Sequence, residues 1–383
     1  MAKSAVVAGH ICLDMIPQVD HHFDLVPGRL YEVGAPTMAT GGAVSNTGMT
    51  MHILGTPVTL MGKIGADNFG DIILNIIAKR APGLEKGMTI DKDSVTSYTT
   101  VINIPGIDRI FLHCPGANAT YVSADVNWDA VAKADLFHFG YPCFMAGTYK
   151  DGGKELKAMY AKAKELGVTT AMDPGMPDAN GPAGKVNWKQ LLKEVLPTVD
   201  VFMPSADELL YMICPERFGQ GDNLTTDDLN FLSGELLGMG AAVAAIKMGS
   251  RGMFIGTAGA DRLAAMGRGK PEDIADWANR QMVFPCFKPT KFMGATGAGD
   301  SSIGGFLCAM LRGLKFEDAG LFAAAVGASN VEAADSLSGI RDWDATMARI
   351  NAGWQTTPTE LGDASWKLDG RNVWRGPKDG VAK

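Results

Sequence analysis

Along the chain, short apolar runs alternate with amphipathic stretches. Residues 5–14 are apolar up to Asp14, which predicts a buried first strand with an acid at its carboxyl end. Gly41-Gly-Ala-Val-Ser-Asn46 then opens a helix that carries Val44, Thr47, Gly48, Met51 and Leu54 on one face and stops at Gly55. Residues 58–65 read as the next strand, followed by a helix over 71–80. Further strands are expected at 135–140, 168–173, 200–203, 242–248 and 253–255, and further helices at 151–166, 188–196 and 225–237, with one more starting at Pro204-Ser-Ala-Asp-Glu208. Residues 258–281 are polar and glycine-rich and suggest an insertion at a sheet edge. From Ile303 apolar residues recur at Phe306, Leu307, Met310 and Leu311, and Gly313 stands at a C′ position, so a helix begins near Ala298. Another follows over 317–331. Such alternation predicts an α/β fold of three layers, with a central, mostly parallel sheet flanked by helices.

Two stretches break the pattern. Residues 17–40 hold prolines, glycines and paired histidines without a helical period, and residues 97–104 and 109–113 flank the turn signal Pro105-Gly-Ile-Asp108. Together, segments of about 15–40 and 95–119 predict a small β-sheet lid beside the main sheet. One domain is therefore expected over 1–350, with a C-terminal extension over 351–383 that has no period.

Composition narrows the classes. Hydrophobic residues make up 46% and charged ones 20%, which excludes a disordered or fibrous chain. A net charge of −7 argues against a broad nucleic-acid surface, so an anionic ligand needs a local positive site. The six cysteines are scattered without metal-ligand spacing, as expected of reduced thiols in the cytoplasm. There is no apolar run long enough to span a membrane and no signal-peptide pattern at the start.

The candidate chemistry gathers at Gly294-Ala-Thr-Gly-Ala-Gly-Asp300. A loop nearly free of side chains, leading into a helix, presents backbone N–H groups and the positive end of a helix dipole to an anion. Asp300 plants a carboxylate there. Two readings stay open on this motif alone: a capped glycine-rich turn, or a phosphoryl-transfer site in which Asp300 receives a proton from an attacking hydroxyl. Asp14 and Asn46 are candidates for binding a polyol, against the plainer reading of both as caps. No Gly-x-x-x-x-Gly-Lys-Ser/Thr occurs, and Gly9 is followed by His10-Ile-Cys rather than a dinucleotide fingerprint, which sets aside P-loop enzymes and dinucleotide oxidoreductases.

In this order, Gly41-Gly-Ala-Val-Ser-Asn46 with Gly55 and Gly65, the Gly249-Ser-Arg-Gly252 turn, and Thr296-Gly-Ala-Gly-Asp300 resemble the ribokinase/PfkB family of carbohydrate kinases from Ala5 to about Ile350. The resemblance implies ATP-dependent transfer of a phosphoryl group to a hydroxyl of a sugar or related polyol. It implies Asp300 as catalytic base, with the N–H groups of Gly297, Ala298 and Gly299 as the anion hole. The acceptor would lie near Asp14, Gly41, Gly42 and Asn46, with Arg109 reaching in from the lid. The nucleotide would lie against Ser205, Lys247, Gly249, Gly252, Thr296 and Asn330, with Mg²⁺ near Glu208 through water and a monovalent cation such as K⁺ in some members. The lid's β-rich edges could pair with a second copy.

Three departures from the family pattern stand out. Gly294-Ala295-Thr296 replaces the usual Asp-Thr-Thr, Ser205-Ala-Asp-Glu208 replaces Asn-x-x-Glu, and Asp173-Pro-Gly replaces Asp-Pro-Asn. They leave a nucleoside kinase of the same fold, or a binding protein without catalysis, as alternatives to a sugar kinase.

Overall fold

The computed structural model describes residues 2–107 and 109–380; Asp108, within the expected 105–108 turn, lies outside them. In chain order the strands are β1 (Ala5–Gly9), β2 (Cys12–Gln18), β3 (Gly34–Gly41), β4 (Val58–Met61), β5 (Lys63–Gly65), β6 (Thr89–Asp91), β7 (Tyr98–Ile102) and β8 (Ile110–Cys114). They continue as β9 (Leu136–Gly140), β10 (Thr169–Asp173), β11 (Val201–Phe202), β12 (Val243–Lys247), β13 (Met253–Thr257), β14 (Gln281–Phe284), β15 (Lys367–Leu368) and β16 (Trp374–Arg375). Ten of them form the main sheet in the order β15-β16-β14-β13-β12-β11-β10-β9-β1-β4. From β4 to β12 neighbours run parallel, and from β12 to β15 they run antiparallel. Helices cover both faces, and no helix among the described residues is long and apolar enough to cross a membrane.

The expected lid is present as a separate sheet in the order β3-β2-β7-β8. Its entry corrects the first strand. Residues 5–14 are not one strand: β1 ends at Gly9, and β2 leaves the main sheet for the lid, so Asp14 lies on the lid. The turn between them depends on Gly9, which has φ of 123° and presses against Gly140; a Cβ at Gly9 would sit 2.3 Å from the Gly140 carbonyl oxygen. Buried Asn118 satisfies the exposed backbone of the corner, donating to Ile11 O at 2.7 Å and accepting from Ile11 N at 3.4 Å. The predicted 58–65 strand divides in the same way. At Gly62 a Cβ would meet Ile11 at 2.7 Å, and the chain passes from β4 in the main sheet to β5, which pairs with β6.

The helix Ala298–Leu311 is buried on all sides rather than along one stripe, because it lies between the helices Ala43–Ile53 and Phe316–Asn330. Gly304 and Gly305 make the close approach possible: a Cβ on either would stand 2.8 Å from Thr50 Cγ2 or 3.0 Å from Val326. Burial of Ile303, Phe306 and Leu307 then contributes about 1.5–3 kcal/mol each. The 258–281 stretch is no edge insertion. It sends Leu263, Met266 and Trp277 into the core, with Trp277 against Phe306 and Phe316, and Arg262 joins Lys164 on the fully buried carboxylate of Asp200. Its apolar residues are too few and too widely spaced to show a period. Residues 351–380 carry structure as well, since β16 pairs with β14 and extends the main sheet.

The corner at Gly9 generates a stability test. Gly9→Ala adds backbone strain to a steric overlap with Gly140 and should cost about 2–4 kcal/mol in urea unfolding. A variant as stable as wild type would show that the corner relaxes freely.

Candidate active site

The carboxyl ends of the parallel strands converge on one edge, where ligand groups collect in open α/β sheets. β1 delivers Gly9 and His10, β9 delivers Tyr141, β10 ends at Asp173, β11 leads to Ser205, and β12 ends at Lys247. Above them stands the first turn of the Ala298–Leu311 helix. Its N-cap, Gly297, is left-handed at φ of 77°, and Ser336 packs where a Gly297 side chain would be.

Asp300 is buried under this turn. Tyr141 Oη lies 2.7 and 2.8 Å from its two carboxylate oxygens and donates to them, and Asn46 Nδ2 donates to Oδ2 at 2.9 Å. Burial raises the acid's pKa, while Lys247, Tyr141 and Asn46 draw it back toward ionisation. Tyr141 reaches this place through a left-handed backbone, φ of 62°, which a bulky residue adopts only when its surroundings hold it. Its N–H donates to Asp173 O at 2.8 Å, and its ring packs on His10 and Phe144.

On the other side of the same turn, Lys247 Nζ forms a buried ion pair with Asp173 at 3.1 Å and lies 3.9 Å from the point a Cβ on Gly299 would occupy. Burial pushes Asp173 up, against the pull of Lys247 and with help from Glu208 and Asp300. For Lys247, burial lowers the pKa, but the three carboxylates outweigh it and keep the ammonium charged. A cavity of about 450 Å³ opens here, lined by Lys247, Gly249, Ser250, Gly252, Ala298, Gly299 and the small residues Ala324, Gly327 and Ala328. At the helix N-terminus Gly299 therefore faces the cavity, while the carboxylate of Asp300 turns away from it toward Asn46 and Tyr141.

The expected anion-hole amides differ from one another. Ala298 N–H donates to Ala295 O at 3.2 Å, closing the loop on itself, whereas Gly299 N–H has no acceptor among the described residues. Gly252, at φ of 92°, closes the 249–252 turn against Phe284 O, and Gly249, at φ of 56°, lines the cavity. Asn330 is fully buried and donates to Ser336 O at 2.6 Å, so it acts through Ser336 on the Gly297 turn. Ser205 and Glu208 form a capping box at the helix Ala206–Ile213, with Ser205 N–H donating to Glu208 at 2.6 Å. Among the described residues, no group of three or more His, Cys, Asp or Glu side chains is arranged to hold a metal ion.

On the lid side, Asp14 is pushed up to about 6 by burial, tempered by the Cys12 thiol, which donates to it at 3.3 Å, and by Thr99. At Gly41 a Cβ would stand 2.3 Å from Asp14 Oδ2 and push that carboxylate aside; at Gly42, φ is 87° and a Cβ would meet His10. From the lid, Arg109 donates to Thr296 on the Gly294–Asp300 loop.

Sequence reasoning missed Tyr141 and the aromatic wall beside it. His10 has ring centroids 5.2 Å from His113 and 5.3 Å from Phe144, and both of its ring nitrogens are buried without a hydrogen-bond partner. Burial, with His113 adding to it, holds His10 well below the usual histidine range, so the ring is neutral. Position gave only a partial signal: Tyr141 follows the last residue of the predicted 135–140 strand, whereas His10 lay inside the 5–14 run expected as one strand and comes to a strand end only because β1 stops at Gly9.

Residues 2–342 match the pfkB family carbohydrate kinases. An uncharacterized sugar kinase of Archaeoglobus fulgidus is 24% identical over 293 residues, covering 76% of this chain and 98% of that one. A probable chloroplastic fructokinase-6 of Arabidopsis thaliana is 25% identical over 209 residues, 54% of this chain, and the match spans about half, 52%, of that relative's length. In three dimensions, a fructokinase from Xylella fastidiosa solved with bound ATP superposes with a TM-score of 0.70 at 19% identity, over 92% of this chain and 99% of that one, which establishes the ribokinase-like α/β fold. With the family matched over nearly its whole length, the chain belongs to the PfkB family of carbohydrate kinases and is a kinase enzyme.

Proposed function

We propose that the protein transfers the γ-phosphoryl group of ATP to a hydroxyl of a sugar or related polyol, with Asp300 as the base. One observation carries this reading: a buried carboxylate, held by Tyr141 and Asn46, stands back to back with a cavity whose floor is Lys247 and Gly299. The cavity takes the nucleotide, in keeping with the bound ATP of the Xylella fastidiosa fructokinase. Its triphosphate lies toward Lys247 and the Gly299 N–H, both of which complement developing negative charge. The acceptor enters from the lid side. Its hydroxyl is oriented on Asp300, which takes the proton late, as expected of a weak base.

The residues present fit a magnesium ion carried on phosphate oxygens and water: Glu208 makes no ion pair among the described residues, accepts the Ser205 N–H and lies within electrostatic reach of Asp173, so it would hold the ion through water. Such an ion would supply charge neutralisation for the phosphates. Asn46 Oδ1 is buried without a partner, and His10 has two unpartnered nitrogens, so polar atoms await the hydroxyls of an acceptor. The wall of His10, His113, Tyr141 and Phe144 also favours a second reading, a nucleoside whose flat base stacks there. The exposed Ile110, Phe111 and Leu112 on the lid edge strand β8 support pairing with a second copy.

ADP release from MgATP over a panel of sugars, polyols and nucleosides tests the reading. At least one acceptor should stimulate turnover, and Asp300→Asn should lower kcat by about 10²–10⁴-fold while ATP still binds. An active Asp300→Asn enzyme would remove Asp300 as the base. Tyr141→Phe deletes a donor that favours the ionised form of Asp300, so the folded-state pKa rises and the acid limb of the kcat profile should move to higher pH. A limb that stays in place would reduce Tyr141 to packing. For Asp14, whose carboxyl titrates at about 6, the acceptor KM should rise as pH falls through that value, and Asp14→Asn should flatten the dependence.

A further inference from the structure

Described residues beyond the family match pack onto the fold beside the cavity at Gly299, with Thr357 in its lining. After the helix Trp343–Asn351 the chain turns back along the loop that follows β14. Lys288 N–H donates to Gln355 O at 2.8 Å and Thr357 N–H donates to Cys286 O at 2.7 Å, with Phe287 and Thr356 bridged as in a short antiparallel ladder. Trp354 adds a ring contact to Phe287 at 4.8 Å and donates through its indole to Lys288 O at 2.6 Å. Thr359 Oγ1 then donates to Arg251 O at 3.4 Å, in the 249–252 turn. The same segment thus ties together two loops that border the cavity. Farther on it is fixed again, where β16 pairs with β14 and Arg375 pairs with Glu317 and Asp379.

Thr357 is itself part of the cavity wall. It is half-buried, and its hydroxyl makes no hydrogen bond among the described residues. Around it the lining is apolar or small, including Phe287, Ala324 and Val331, while the charged Lys247 stands beside Gly299. A nucleoside triphosphate has that same division, an apolar ring and a charged tail. Taking the cavity as the ATP site of the proposed reaction, we infer that the strap Trp354–Thr359 is a wall of the nucleotide site, with Thr357 contacting the nucleoside moiety, and that it governs nucleotide affinity without touching the acceptor. Both fixed ends make it a rigid wall rather than a hinged cover.

The full-length protein tests this with Thr357→Trp, which projects a large ring into the cavity from a partly exposed position, and Trp354→Ala, which unpins the strap without filling the space. Equilibrium dialysis gives the ATP Kd, steady-state rates with the acceptor found by the panel give both KM values, and thermal unfolding checks the fold. Thr357→Trp should weaken ATP by about tenfold or more, a loss of the size overpacking produces, with the acceptor KM within about twofold and the melting temperature near wild type. Trp354→Ala should raise the ATP KM in the same direction by a smaller factor. If both folded variants bind ATP as wild type does, the strap is only a surface brace and the inference is overturned. If wild type binds no nucleotide at all, the assignment of the cavity fails first and takes the strap's role with it.

Discussion

The structure depends on burying the Asp300 carboxylate among groups that favour its ionised form. An isolated buried carboxylate costs several kcal/mol and would otherwise be protonated, so Asp300 must be supplied with donors and positive charge by the protein. Tyr141 and Asn46 donate directly, and the ammonium of Lys247 acts through space. They come from a strand end, a helix first turn and another strand end, far apart in sequence. Only a parallel sheet, which brings its carboxyl ends to one edge, can gather them around a single helix N-terminus. Gly297 follows from the same requirement, because its left-handed backbone starts the helix and a side chain there would overlap Ser336.

A second constraint is the separation of lid and sheet. β1 and β2 are consecutive in sequence but belong to different sheets, and the chain changes sheet within two residues. The left-handed Gly9, the clamp by Asn118 and the acceptance of Val44 N–H by His10 O hold the corner. His10 lands between the sheet and the lid as a result, its ring against lid residue His113 and its backbone starting the Ala43–Ile53 helix. The lid is therefore not an appendage. Its position is set by the same corner that places Asn46 beneath Asp300, and Arg109 closes the far side onto Thr296.

Much of this was legible in the sequence, for identifiable reasons. The alternation of apolar runs with amphipathic stretches reports a parallel sheet, and the glycine motifs report helix starts, since both are local properties. The Gly41–Asn46 and Gly297–Asp300 segments were found because backbone geometry there excludes side chains. Tyr141 escaped because nothing around Phe139-Gly-Tyr-Pro-Cys143 marks a hydroxyl aimed at a residue 159 positions away. The breaks at Gly9 and Gly62 escaped because an apolar run looks the same whether it stays in one sheet or passes to another. The tail escaped for a different reason. Its order comes from pairing with β14 and the Cys286–Lys288 loop, and two-residue strands have no period to detect.

The departures from the family pattern make sense when charge is counted. Around the anion turn stand the carboxylates of Asp173, Glu208 and Asp300 and one ammonium, Lys247, which leaves an excess of negative charge if all are ionised. On the proposed reaction, a triphosphate arriving at that edge would meet repulsion from two carboxylates that Lys247 does not neutralise. Removing an acid from the loop, as Gly294 does relative to the family pattern, reduces that repulsion, and a lysine at the end of β12 reduces it further. What remains has to be offset by a divalent cation brought in with the phosphates or by protonation of Asp173, the acid that burial and its neighbours push upward. On the proposed reaction, then, the protein would contribute orientation, the ammonium of Lys247 and the guanidinium of Arg109 on Thr296. The rest of the neutralisation arrives with the substrate, so an empty site gains little by activating water.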